Sequence, residues 1–330
     1  MKHINVAVFV PHCGCPNQCT FCNQRAISGA TSPTTPEDVI KAVEIALPKA
    51  DKETSEIAFF GGSFTAIDKD YMISLLSAAY PYIKNGHFKG IRISTRPDCI
   101  DEETLDILKS YGVTSIELGA QSMNDNVLLL NKRGHTADDV IKASKLISSY
   151  GFELGLQMMT GMYMSSDADD ISTAEKIIEL KPRTVRIYPT VVLKGTELEN
   201  LFLEKKYTPP TLDDSVNLCA KLLKMFYDNG IKVIRLGLHS GGDVDENFVA
   251  GIFHPAFREL CESRIYLDTI TKTLKDQGRY TVFVRPSEIS KMIGQKKANL
   301  NYLLSKGYDV TVRPDDSLPI YKIRCVNNDS

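Results

Sequence analysis

The chain has 330 residues, 43% of them apolar, and a formal net charge of −2. That length suits one large domain with a small one attached, and it buries enough apolar side chain to need neither disulfide nor metal merely to stay folded. No stretch approaches the roughly 20 apolar residues of a membrane span, and Ile4–Val10 lacks the basic flank and length of a secretory leader, so the eight cysteines are expected to be reduced thiols of a cytoplasmic protein with no membrane partner.

In chain order, the apolar run Val6–Val10 reads as a strand. The loop behind it, His12 to Cys22, holds four cysteines. Thr35-Pro36-Glu37-Asp38 then opens a helix, with Thr35 as N-cap, Pro36 in the first turn and Asp38 closing a capping box. Glu56–Phe60 is the next strand, Asp68–Ile83 a helix and Ile91–Ser94 a strand. From there a unit recurs: helix, glycine stop, apolar strand. It appears at Gly112 before Thr114–Leu118, at Gly151 before Phe152–Met158 and at Gly230 before Ile231–Leu236. Strands apolar on both faces belong in a buried parallel sheet. Six of them, near Val6, Ile57, Ile91, Ile116, Leu154 and Val185, predict an α/β protein built as a partial (β/α)6 parallel barrel, with its chemistry at the strand C-termini. Leu212–Asp228 is a further helix, Gly237–Phe257 reads as loop, and a helix runs from Phe257 to about Lys275.

The tail differs in charge. Lys272–Arg324 holds 11 Lys and Arg against 5 Asp and Glu, a surplus of six, so the rest of the chain carries −8. A basic appendage on an acidic body fits a polyanion partner. A strand at Thr281–Val284, helices ending at Gly294 and spanning Ala298–Ser305, and strands at Tyr308–Val312 and Ile320–Ile323 give the order β-α-α-β-β. That order, with Gly294-Gln295-Lys296-Lys297 between the helices, resembles the core of a KH-type module. Such modules clamp nucleotide backbone with a Gly-rich loop, although Lys297 stands where the second glycine belongs. The expected division is a barrel over 1–240, a loop and connecting helix over 241–275, and a small α+β module over 276–330.

Cys15, Cys19 and Cys22 form C-x3-C-x2-C on the loop after the first strand. Three thiolates so spaced can hold three irons of a 4Fe–4S cluster and leave the fourth open to a ligand. A zinc site completed by Cys13 or His12 and a disulfide loop are the alternatives on spacing alone. The spacing resembles that of the radical S-adenosylmethionine (SAM) superfamily. The resemblance implies that SAM chelates the open iron and is split reductively to a 5′-deoxyadenosyl radical. It also implies a one-electron donor such as flavodoxin or ferredoxin, and it puts Phe21 near the adenine.

Further segments fall at strand ends in order: Phe59-Phe60-Gly61-Gly62-Ser63-Phe64, Ile93-Ser94-Thr95-Arg96-Pro97-Asp98, Ile116-Glu117-Leu118-Gly119-Ala120-Gln121-Ser122, Arg133-Gly134-His135-Thr136 and Val185-Arg186-Ile187-Tyr188-Pro189-Thr190. Paired glycines let backbone approach a small ligand, and Arg96 could fork onto a carboxylate. Gln121 could take ribose hydroxyls, Arg133 could meet the SAM carboxylate, and Glu117 could be buried against one of these arginines. Together the segments resemble the radical SAM domain of Elongator's catalytic subunit over about Val6–Tyr207. The resemblance implies SAM contacts at Gly61, Gly62, Ser63, Ser94, Arg96, Gln121, Arg133 and Tyr188, and a role in modifying a tRNA base. That family carries an acetyltransferase domain, for which the stretch after Tyr207 offers neither the length nor a Gly-rich acyl-CoA loop. A radical SAM enzyme on a small molecule such as a porphyrin precursor is the second expectation, and a non-enzymatic iron–sulfur or zinc RNA-binding protein the third.

Overall fold

The computed structural model describes residues 5–10, 18–23, 33–238 and 246–329. Seven parallel strands form one curled sheet in sequential order: β1 (Asn5–Val10), β2 (Glu56–Gly61), β3 (Gly90–Thr95), β4 (Val113–Gln121), β5 (Glu153–Thr160), β6 (Thr184–Pro189) and, separated from β6 by β7 (Val191–Leu193), β8 (Lys232–Leu236). The six expected strands are all present. The Ile231–Leu236 unit adds a seventh to the same sheet, giving the open half-barrel expected of an α/β protein of this pattern.

Helices cover the outer face: α1 (Pro36–Ala46), α2 (Lys69–Lys84), α3 (Glu102–Ser110), α4 (Asp125–Leu130), α5 (Ala137–Ser149), α6 (Asp167–Glu179), α7 (Glu197–Leu203) and α8 (Leu212–Asp228). The capping box of α1 forms as read, with Asp38 N donating to Thr35 Oγ1 (3.2 Å) and Thr35 N to the Asp38 carboxylate (2.9 Å). Gly112, Gly151 and Gly230, which close α3, α5 and α8, take φ of 75°, 83° and 71°, the left-handed region where a side chain is strained. Val39, Leu75, Leu108, Ile147, Ile177 and Phe226 pack from the helices onto Val8, Ile57, Ile93, Ile116, Leu156 and Ile187 of the sheet.

The inner face is not apolar. Glu56, Arg92, Glu117 and Arg186 line it and are buried or nearly so. Arg92 meets Glu56 at 2.7 Å and Glu117 at 3.1 Å, and Arg186 meets Glu117 at 2.6 Å. Glu117 is thus buried as expected, but its partners are Arg92 and Arg186 rather than Arg96 or Arg133. The reason is position: Arg92 and Arg186 share its face of the sheet, whereas Arg96 and Arg133 lie beyond the strand ends.

Two further expectations are corrected. Part of the stretch read as loop forms β9 (Phe248–Gly251), which pairs antiparallel with β7. The last strand is not Ile320–Ile323 but β12, Arg324–Asn327. Tyr321 has φ 60°, and its N–H donates to Tyr266 Oη (2.9 Å) instead of to a ladder. Its ring packs on Tyr227 and Tyr266, and burying that aromatic outweighs the strand pairing its neighbours could make.

Helix α9 (Phe257–Thr273) packs on α8 and carries the tail: β10 (Gly278–Val284), α10 (Ile289–Ile293), α11 (Ala298–Ser305), β11 (Tyr308–Pro314) and β12. The three strands order as β11-β10-β12, with β10 parallel to β11 and antiparallel to β12. Val282, Val284, Met292 and Leu303 join Ile265 and Ile270 of α9 in the main core. Asn299 Nδ2 ties α11 to α9 through Ser263 (3.0 Å to Oγ).

Candidate functional site at the carboxyl ends of the strands

Gly61, Gly62, Ser63, Ser94, Arg96, Gln121 and Tyr188 sit where parallel strands end, and short polar links bind one end to the next. Gly62 N–H donates to the Val10 carbonyl (3.0 Å), tying the end of β2 to the residue that precedes the cysteine loop. Gly61 has φ 111°, and a Cβ there would lie 2.6 Å from Val10 O, so only glycine permits this approach. Ser63 is buried and leads into a turn whose Thr65 hydroxyl lies 2.6 Å from Thr95 Oγ1 and also donates to Cys99 O. That joins the ends of β2 and β3.

Arg96 does fork onto a carboxylate, and that carboxylate is the chain's own. Nε and Nη2 each lie 2.9 Å from the two oxygens of Asp98, and Nη2 also donates to the Arg133 carbonyl. Arg133 is buried in turn. Its Nη2 donates to Gly119 O (2.9 Å) and its Nη1 to Cys19 Sγ (3.1 Å). Gln121 ends β4 with φ 65° after a register shift, and its amide lies over Gly119.

Cys19 is buried and Cys22 half-buried; Cys15, His12 and Cys13 lie outside the described residues. The Cys19–Cys22 turn is closed by Cys22 N–H donating to Cys19 O (3.1 Å). Asn131, fully buried, fastens it: Oδ1 accepts from Thr20 Oγ1 (2.8 Å) while Nδ2 donates to Val127 O and Tyr163 O. Phe21 packs with Val192, Leu198 and Tyr207. A depression of about 700 Å³, lined by Gln18, Cys19, Lys132 and the start of α7, opens beside the turn. Tyr188 is on the inner face of β6, its Oη 3.5 Å from Arg186 Nη1.

Several supporting residues escaped the sequence reading. His135 Nε2 donates to Ala120 O (3.2 Å), and burial, followed by the nearby Arg133, lowers its pKa to about 4. It is therefore neutral at pH 7 and braces the end of β4. Asp170 accepts from Gly161 N and Ser165 Oγ beyond β5, and burial raises its pKa to about 6. Asn131 gave no local signal. A charged residue at the centre of an apolar strand, as in Ile91-Arg92-Ile93 or Val185-Arg186-Ile187, was the available sign of the inner network.

Residues 9–177 match the Radical SAM superfamily, and residues 182–266 match the Radical_SAM C-terminal domain. The chain belongs to the radical SAM superfamily. It is similar to the tRNA uridine(34) acetyltransferase of Dehalococcoides mccartyi, 26% identical over 240 residues that cover 62% of this chain and 52% of that one. It is also similar to human Elongator complex protein 3, 29% identical over 190 residues covering 52% and 35%. The chain thus spans about half the length of the first relative and about a third of the second. Its fold matches that of Methanocaldococcus infernus Elp3 lacking its N-terminus (TM-score 0.62, 21% identity, 84% of this chain and 65% of that one).

Radical SAM membership implies a 4Fe–4S cluster and SAM. The residues here fit that pair. Ser94 Oγ, Gln121 Oε1 and Arg133 Nε are buried polar atoms with no hydrogen-bond partner among the described residues. Such atoms are costly unless a polar ligand satisfies them. Gln121 and Arg133 meet at Gly119 beside the end of β3, where Ser94 lies and where Arg133 touches Cys19.

Proposed function

We propose that this chain is a cytoplasmic enzyme that cleaves SAM reductively and uses the product on RNA, with a tRNA base as the target. The observation that carries the first half is the Arg133–Cys19 contact, which sets Cys19 beside Arg133 Nε, Ser94 Oγ and Gln121 Oε1, buried polar atoms with no hydrogen-bond partner among the described residues. In this reading Cys15, Cys19 and Cys22 hold the cluster, and the Gly61–Ser63 backbone lines the methionine end of SAM. Arg133 Nε faces the SAM carboxylate, Ser94 and Gln121 face the ribose, and Phe21 flanks the adenine. Arg96 acts through Asp98 and the Arg133 carbonyl and is a positioning residue. The bound pair would supply one-electron reduction of a sulfonium and, from it, hydrogen-atom abstraction. The rest falls to this chain: orienting SAM, keeping water from the inner face, and accepting the substrate through the open side of the half-barrel. A flavodoxin or ferredoxin would deliver the electron.

The RNA half is supported by the names of the similar proteins and by the tail. Lys296 and Lys297 hold φ of 50° and 62° directly before α11. Lys297, placed where a glycine was expected, therefore adopts the glycine-favoured conformation and presents an exposed ammonium there. The test is anaerobic reconstitution with dithionite, SAM and bulk tRNA, alongside nucleoside analysis of tRNA from cells with and without the protein. The reading expects 5′-deoxyadenosine and one modified nucleoside lost with the protein. Cluster-loaded protein that forms no 5′-deoxyadenosine removes the enzymatic reading, and an unchanged nucleoside profile removes the RNA target.

A further inference from the structure

The inner-face network is electrically closed: Glu56 and Glu117 oppose Arg92 and Arg186, each in contact with a partner. Arg235 brings one more positive charge to the same wall. It is in register with Arg186 across the β6–β8 pair, and register partners on neighbouring strands face the same side. A one-residue bulge puts it there. Val185 pairs with Val233 and Arg186 with Arg235, so Ile234 is the extra residue. Strict alternation from Val233, which packs in the helix-side core, would send Arg235 outward and Ile234 inward. Bulges at barrel rims commonly re-aim a side chain beside an active site.

Arg235 is half-buried. Its Nε donates to the Gly237 carbonyl (3.0 Å), and among the described residues no carboxylate pairs with it. Burial, together with the like charges of Arg186 and Arg258, holds its pKa below the ordinary arginine value, while Tyr188 acts in the opposite sense. A partly desolvated guanidinium without a counter-charge is costly until an anion joins it.

We infer that Arg235 and Tyr188 bind an oxyanion of the substrate, a phosphate or a carboxylate, inside the half-barrel. The two Nη groups fork onto the anion, and the Tyr188 hydroxyl donates a third hydrogen bond. The subsite lies on β6 and β8, across the inner face from Gly61, Ser94 and Gln121, so it fixes the substrate opposite the proposed SAM position. This inference rests on the reading of the inner face as the reaction chamber.

The test uses the full chain with its cluster reconstituted. Inorganic phosphate and acetate are titrated separately while the arginine side-chain 15N resonances are followed, with Arg235 assigned by the signal lost in Arg235→Lys. A saturable shift with phosphate identifies a nucleotide phosphate as the natural group, and one with acetate a carboxylate. Arg235→Gln is expected to abolish the saturable binding and to raise the KM for tRNA on the order of tenfold, with kcat changed less, while Arg235→Lys recovers part of the loss. Iron and sulfide content near the wild-type value separates this from misfolding. No saturable shift with either anion on cluster-loaded protein overturns the inference, as does an Arg235→Gln variant that weakens SAM binding instead of anion binding. Wild-type protein that modifies no tRNA sinks the RNA reading alone, since the anion titration still decides the role of Arg235.

Discussion

Cys19 and His135 are both buried beside Arg133. Arg133 Nη1 donates to Cys19 Sγ (3.1 Å). Cys15→Ala, Cys19→Ala and Cys22→Ala are each expected to abolish cluster assembly, and Cys99→Ala to leave it intact. Iron and acid-labile sulfide per chain check this, and a full cluster in Cys19→Ala would refute the ligand assignment. His135 is held neutral by burial, with its pKa lowered to about 4 from 6.5. The unfolded chain therefore takes up a proton at this site between pH 6.5 and 4 that the folded chain refuses. Its contribution is neutral above pH 6.5 and increasingly destabilising as the pH falls toward 4, reaching up to about 3 kcal/mol. His135→Gln, which cannot titrate, is expected to flatten the stability loss across that window in urea melts at pH 7, 6, 5 and 4.5. An unchanged slope would show that the acid sensitivity lies elsewhere.

At the scale of elements, the strands carry two different faces. Ile91, Ile93, Ile116, Leu118, Val185 and Ile187 give the apolar outer face its helices, while Arg92, Glu117 and Arg186 between them form the inner ionic layer. Breaking a buried pair leaves a charge uncompensated, which typically costs about 3–5 kcal/mol. Glu117→Leu strands Arg186 and leaves Arg92 with Glu56, so its chemical-denaturation midpoint should fall by the equivalent of that amount. Arg92→Met combined with Glu56→Leu removes one pair outright and should cost less than Glu117→Leu alone. Equal losses would mean that packing, not charge, dominates the layer. The glycine stops, the α1 capping box and the βααββ order of the tail were legible because each depends on neighbours in sequence. The Arg324–Asn327 strand was not, because Tyr321 is drawn into a pocket made by α8 and α9, far away along the chain.

For the molecule as a whole, a body carrying −8 bears a tail carrying +6. Binding of tRNA is expected to weaken steeply with salt, because each phosphate contact releases counterions. Lys296→Glu with Lys297→Glu should reduce the slope of log affinity against log salt by about 2. Filter binding from 50 to 300 mM KCl measures it, and an unchanged slope would move the RNA contact off this loop. The sequence by itself determined the parallel half-barrel, the helices that coat it, the cysteine turn and the superfamily, because these rest on short-range patterns of apolar period, turn chemistry and cysteine spacing. The tertiary structure alone decided which charges meet. The strands place Glu56, Arg92, Glu117 and Arg186 side by side, a single bulged residue turns Arg235 inward, and Arg96 is occupied by its own Asp98. Those outcomes depend on strand register and burial, where a shift of one residue reverses the face a side chain occupies.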